Sequence, residues 1–207
     1  MGMTHIIDIS LPVHPEMPTY PGNKPTSFEK IIKPSGSQLT NITIDSHAGT
    51  HIDAPSHAGI INKTIDHYDL TVFYGPARII EIYDKELIAA SDLEQFLIQP
   101  HERILFKTDN SLRGFEKFHD TWTALSSEAA TYLANSNVAL VGIDWFGVKQ
   151  KNAPDNGAHT ELLEKGIPIL EGIDLSGANT GTYILSAFPI AYKGIDGSPV
   201  RAVLIEE

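Results

Sequence analysis

The sequence predicts one α/β domain built around a mixed β-sheet. Three observations carry that prediction. A chain of 207 residues, 42% hydrophobic and 20% charged, is long enough for a single domain with a sizeable core. Apolar runs of strand length alternate with segments that carry helix caps. Residues 103–108, a helical segment and residues 138–144 have the spacing of a βαβ unit, which makes part of the sheet parallel. No repeat, low-complexity tract or linker divides the chain, so the domain is expected to run from 1 to 207.

The N-terminal segment is punctuated by Pro12, Pro15, Pro18, Pro21 and Pro25, with Gly22 among them. Such a stretch cannot be helical and should run extended over a surface, its own or a neighbouring subunit's. Residues 39–47 alternate, Ile42 and Ile44 against Thr43 and Asp45, which predicts a half-buried strand. Further strands are expected at residues 77–83, 103–108, 138–144, 182–188 and 200–205, with the N-terminal half the more antiparallel. Ser91 followed by Glu94 reads as a capping box that opens a short helix through Leu97. Ser126 or Ser127 caps a second helix to about Asn135. Asn156 and Gly166 bracket a third helix, and residues 167–171 form a strand behind it.

Charge and composition exclude several functions. There are 26 acidic against 15 basic residues, a net charge of −11. Without Lys/Arg clusters this argues against nucleic acid and against anionic membrane surfaces as partners. The absence of cysteine removes disulfides, thiolate metal sites and a cysteine nucleophile. Any transition metal must then be held by His, Asp and Glu. The first residues lack the basic start and apolar run of a signal peptide, and no later stretch approaches membrane-spanning length, so a cytoplasmic protein is expected.

One stretch concentrates metal-ligand chemistry. His47, His51, Asp53 and His57 fall within eleven residues, all at odd positions. Gly49, Thr50 and Pro55 make a helix poor here, although His47 and His51 have helical spacing. A fully extended chain would separate His47 from His57 by about 33 Å, too far for one site. The chain has to fold back, and Gly49 and Pro55 are where it can. Imidazoles and a carboxylate would then converge, a ligand set suited to Zn²⁺ or Mn²⁺. The other reading is a polar surface loop rich in histidine, with Asp53 as a turn residue.

A second pair lies further on. The helix opening near Asn156 would carry the chain about 12 Å away, and the following strand would bring it back about 16 Å. Glu171 thus returns to the level of His159, at the end of an apolar run where a carboxylate needs a partner. A metal would serve, as would a Lys or Arg, and His159 at a helix start would equally suit solvent. His5, His14, His67, His101 and His119 stand singly and read as surface or structural residues.

Together these segments resemble the cyclase family of metal-dependent hydrolases, which includes arylformamidases and isatin hydrolases. Its signature H-x-G-T-H-x-D-x-P-x-H matches residues 47–57 at every defined position. Asp8-Ile9-Ser10 with Pro12, and Pro18-Thr19-Tyr20-Pro21-Gly22, are similar to the family's opening. Ala158-His159 with Glu171 is similar to its second ligand segment, and Asp196-Gly197-Ser198-Pro199 through Leu204 to its ending. The resemblance implies a barrel-like swivelling β/α fold, dimeric or tetrameric, and one or two divalent ions. It implies that His47, His51 and Asp53 hold one ion, and that Asp53 bridges to a second held by His159 and Glu171. His57 would be the catalytic acid/base, and Tyr20 a substrate-pocket aromatic near the subunit interface. The implied reaction is hydrolysis of a small-molecule amide, foremost an N-formyl arylamine such as N-formylkynurenine, by hydroxide generated on the metal. An isatin-like cyclic amide or lactone as substrate, and a non-catalytic metal-binding protein, are the alternatives. Two departures bear on the pocket: the family commonly has Trp at the Tyr20 position, and a Thr-Pro-Ser type sequence where Trp145-Phe146-Gly147 follows Asp144. Trp145 and Phe146 are candidates for pocket lining or for core.

Overall fold

The computed structural model describes residues 5–206. After β1 (Ile6–Asp8) and the proline-rich stretch, the chain forms a hairpin of β2 (Ser27–Ile32) and β3 (Gln38–Thr43). There follow β4 (His51–Asp53), β5 (Tyr74–Glu81), β6 (Leu87–Ile88), β7 (Arg103–Lys107) and β8 (Ala124–Leu125). The last strands are β9 (Leu140–Ile143), β10 (Ile169–Glu171), β11 (Gly181–Ser186), β12 (Gly197–Pro199) and β13 (Val203–Ile205). Between them lie α1 (Ala90–Leu93), α2 (Asp109–Arg113), α3 (Ser127–Asn135) and α4 (Gly157–Glu164). Nine strands join in one curled sheet of order β1-β13-β11-β5-β7-β9-β10-β4-β12. The run β5-β7-β9-β10 is parallel, and every other neighbouring pair is antiparallel. The mixed, barrel-like α/β sheet agrees with expectation.

Both faces of the sheet are covered, and strand alternation decides which residue goes where. Ile104 and Phe106 of β7, with Val141 and Ile143 of β9, pack under Leu133 of α3 and Leu162 of α4. Leu105 and Leu140 point the other way, into a second core with Ile52, Leu170 and Leu185. The crossover β7–α3–β9 is the βαβ unit expected, and Ser126, not Ser127, caps α3 by accepting from the Ala129 amide at 3.0 Å.

Local expectations were less uniform in outcome. Residues 38–43 are a strand but not a half-buried one: β3 pairs only with β2, so neither of its faces reaches the core. The short helix begins before Ser91, where the Asp92 carboxylate accepts from the Ala89 amide at 2.9 Å, and it tightens into a 3₁₀ turn at Glu94–Phe96. Residues 200–205 are broken, because Arg201 turns aside to pair with Asp8 and only Val203–Ile205 joins the sheet. Among the described residues, no helix is long and apolar enough to cross a membrane.

Candidate metal centre

The site grows out of sheet register. β4 lies between β10 and β12 and is antiparallel to both, with His51 opposite Glu171 and Asp53 opposite Ile169. Ile52 and Leu170, also opposite one another, point into the inner core. Alternation therefore turns His51, Asp53 and Glu171 to the other face, toward α4. There the Asn156 carbonyl accepts from the amides of His159 and Thr160, both at 3.0 Å, and starts α4 so that His159 falls on its buried side. The Asn156 side chain does not cap; Asp155 does, accepting from the Gly157 amide at 2.8 Å.

The fold-back occurs at the two residues expected. Gly49 has φ +65°, in the left-handed region that glycine adopts without strain. Pro55 opens a single 3₁₀ turn, Pro55–Ala58, that returns His57 toward Asp53. On the far side of β4, Gly197 leaves room for the His47 ring, since a Cβ there would meet His47 Cε1 at 2.8 Å.

His51 Nδ1–H donates to the Gly49 carbonyl at 2.9 Å, which aims Nε2 at the carboxylates. That Nε2 lies 3.4 Å from Asp53 Oδ1 and 3.4 Å from Glu171 Oε2. His159 Nε2 lies 3.6 Å from Asp53 Oδ2 and 3.4 Å from Glu171 Oε1. These separations are long for hydrogen bonds, which cluster near about 2.9 Å. They match the edges of a tetrahedron around an ion, where bonds of about 2.0–2.2 Å set donors about 3.3–3.6 Å apart. Asp53 Oδ2 is buried and receives no hydrogen bond, a costly state for a carboxylate oxygen unless something cationic completes it. Donor atoms of His47, His51 and Asp53 lie within 4.8 Å of one another, and so do those of Asp53, His57 and His159. Asp53 is common to both groups, through Oδ1 on one side and Oδ2 on the other. The donor set fits a divalent ion.

Electrostatics agree. Burial alone would lower the pKa of His51, but Asp53 and Glu171 reverse this and push it up to about 10. Burial and the neighbouring Asp53 raise Glu171, yet His159 and His51 prevail and bring it to about 2. Asp53 is held well below the usual carboxylate range by His47 and His51 against its own burial. His47 and His159 are raised as well, their burial outweighed chiefly by Asp53 and Glu171 respectively. Without metal, imidazole protons stand where a cation belongs.

All five expected ligands thus converge. His57 is more open, its side chain 34% exposed, with Nε2 4.0 Å from Asp53 Oδ2 and its ring 4.1 Å from that of His47. Tyr20 and Phe146 line a cavity of about 290 Å³ over His47, His51, His57 and His159. Trp145 does not: it is fully buried against Phe115, Phe118 and Trp122. His5, His14, His67 and His101 are exposed, and His119 rests half-buried against Trp145. Sequence reasoning missed Asp196, whose Oδ2 lies 2.9 Å from His47 Nε2 and 3.7 Å from His57 Nδ1, while Oδ1 accepts from Ser46 Oγ at 3.1 Å. The Asp196-Gly197-Ser198-Pro199 run was a signal of resemblance only. It stands 149 positions from His47, and β12 alone brings it there. Asn23, Lys149 and Asn156 also face the cavity and were not anticipated.

Comparison with known proteins bears on this geometry. A family model described as putative cyclase matches residues 7–150. The chain is 38% identical to a kynurenine formamidase of Bacillus cytotoxicus over 207 residues, 99% of each chain. It is 36% identical to one of Bacillus anthracis over 201 residues, 96% of each. Among solved structures, one described as a predicted metal-dependent hydrolase from Bacillus stearothermophilus superposes with a TM-score of 0.88 at 29% identity, covering 100% of both chains. An isatin hydrolase bound to the product analogue thioisatinate shares the fold, with a TM-score of 0.86 at 18% identity over 98% of this chain and 92% of its own. With the family model matched over most of its length and such relatives along nearly all of it, the chain belongs to the cyclase family.

Proposed function

We propose that this enzyme, an amide hydrolase of the cyclase family, cleaves N-formyl arylamines such as N-formylkynurenine. In this proposal His47, His51 and Asp53 hold one divalent ion, and Asp53, His159 and Glu171 hold a second. Zn²⁺ suits these donors first and Mn²⁺ next. The observation that carries the proposal is the set of 3.4–3.6 Å donor separations within each group, His51 from Asp53 on one side and His159 from Asp53 and Glu171 on the other, beneath a cavity walled by Tyr20 and Phe146. The relatives named kynurenine formamidase support the substrate.

When bound, such an ion lowers the pKa of water toward about 7 and polarises a carbonyl. The chain's residues supply the rest. The Val148 amide donates to Glu171 Oε1 at 2.6 Å and fixes that carboxylate. Tyr20 and Phe146 flank the aryl ring and keep water from it. An amine is a poor leaving group, and His57, open to the cavity and about 4 Å from the buried carboxylate, delivers its proton. A homodimer or homotetramer in the cytoplasm belongs to the same proposal. Its support is the β2–β3 hairpin, which leaves Ile32 and Ile42 73% and 61% exposed although two-stranded hairpins are marginal alone.

The test couples metal analysis to hydrolysis of N-formylkynurenine, formanilide and isatin. Chelation should abolish formamide hydrolysis and refilling restore it. His57→Ala should retain metal while kcat falls about 10²-fold or more. Full activity without metal, metal loss in the His57 variant, or turnover of isatin alone would each overturn the proposal.

A further inference from the structure

The cavity over the metal centre has a neighbour. Beside it lies a second cavity of about 390 Å³, with Leu11, Met17 and Phe115 among its apolar walls. The chain runs from one cavity to the other twice. In the proline-rich stretch, Leu11 and Met17 line the second cavity, while Tyr20 and Asn23 line the first. Behind β10, Glu171 borders the first and Asp174 the second. Among the described residues, Phe146 is the one that lines both.

The backbone on either side of Phe146 is pinned. Just beyond β9, the buried Asp144 carboxylate accepts from the amides of Thr108 at 2.7 Å and Ser111 at 3.1 Å. The Trp145 carbonyl accepts from the Gly172 amide at 2.6 Å, and the Gly147 carbonyl from Trp122 Nε1 at 2.8 Å. The ring is held as firmly. It meets Trp145 edge to face at 5.2 Å and Phe115 edge to face at 5.9 Å, and lies 6.2 Å from Phe118. Phe115 belongs to the second cavity, and Phe118 packs against Tyr20 of the first at 5.5 Å. The Phe146 ring therefore stands between the two spaces, buried and braced by aromatic neighbours. Such a close-packed ring is a partition that does not yield to a ligand.

We infer that Phe146 is a specificity-determining residue: it closes the cavity over the metal centre against the apolar space behind it, so that the enzyme takes single-ring arylamides and excludes those extended by a second ring. This rests on the formamide-hydrolase proposal and adds to it the reach of the aryl group accepted. The second cavity would itself welcome an apolar ring, since Leu11, Met17 and Phe115 would bury it. What excludes the longer substrate is the steric cost of displacing a braced side chain. Shortening that side chain should then turn exclusion into preference.

The experiment assays metal-loaded protein with formanilide and with ortho-, meta- and para-formamidobiphenyl. In the wild type, kcat/KM for formanilide should exceed that for every biphenyl isomer about 10-fold or more. Phe146→Ala should lower the value for formanilide, whose ring loses one flank, by about 10-fold. The same variant should raise the value for one biphenyl isomer about 10-fold or more and reverse the order. Phe146→Leu, which keeps more of the packing, should move both values in the same directions by less. Calorimetry with the product amines reads the partition without turnover: in either variant aniline should bind more weakly and one aminobiphenyl more tightly than in the wild type. A wild type that accepts formanilide and a biphenyl isomer equally overturns the inference alone. So do variants in which no isomer gains, or in which all three gain alike, as general loosening of the site would produce. A wild type that hydrolyses none of the four substrates overturns the hydrolase proposal, and aminobiphenyl binding then decides the partition by itself.

Discussion

Asp196 sets its Oδ2 between two imidazoles, 2.9 Å from His47 Nε2 and 3.7 Å from His57 Nδ1. The His47 ring holds its carboxyl below the usual range against partial burial, and Ser46 anchors the other oxygen. A carboxylate behind a ligating imidazole fixes the ring and raises its basicity as a ligand. Asp196→Asn removes the charge and keeps the shape. Metal affinity should then drop about 10- to 100-fold in competition with a chelating dye, while the metal-free protein melts within a few degrees of wild type. An unchanged affinity would show that His47 does not need this partner. The motif residues were legible because they are local: four of the six ligand or acid/base residues, His47, His51, Asp53 and His57, sit within eleven positions punctuated by Gly49 and Pro55, whereas His159 and Glu171 required helix and strand lengths to be added. Asp196 and Lys149 were not legible, because nothing in their neighbours reveals that strand pairing or a loop end brings them to His47 and the cavity.

At the scale of elements, β4 does most of the positioning. Its register with β10 gives one face to Ile52 and Leu170 and the other to His51, Asp53 and Glu171, so a slip by one residue would exchange core for ligands. Its partner β12 has to be small at Gly197, where a Cβ would stand 2.8 Å from both His47 Cε1 and the Ile52 carbonyl. Gly197→Ala should push the His47 ring aside, so the expected result is loss of the ion that His47 helps hold while secondary structure by circular dichroism is kept. Full metal content in that variant would place His47 outside the ligand set. The sequence pattern revealed β7 and β9 well, since strands buried on both faces read as nearly continuous apolar runs. It failed for β3, where the alternation of Ile42 with Thr43 suggested one buried face. Alternation says that two faces differ in polarity, not that either meets a core. It also placed the α1 cap too late, because Asp92 reaches back to the Ala89 amide and outcompetes the Ser91–Glu94 pair.

For the whole molecule, the site ties stability to pH in opposite senses with and without metal. His51 rises from 6.5 unfolded to about 10 folded, so its contribution is full below about 6.5 and is lost as pH rises through 10. Glu171 falls from 4.5 to about 2, so its contribution is present above about 4.5 and is lost as pH falls through 2. The metal-free cluster is thus most stabilising between about 4.5 and 6.5, and weakens above that. Metal requires neutral imidazoles and gains as protons leave. The difference in Tm between loaded and metal-free protein should therefore widen from about pH 5.5 to about pH 8.5; a narrowing would mean that the ion does not replace the imidazole protons. The strands that meet at this site come from distant parts of the chain: Thr50 and Gly172, bonded at the end of β4, are 122 positions apart. An ion shared between β4 and β10, as proposed, would be in effect a removable cross-link closing a very long loop, where closure restricts the unfolded chain most. Metal supply would then govern how long each molecule survives proteases as well as how fast it turns over.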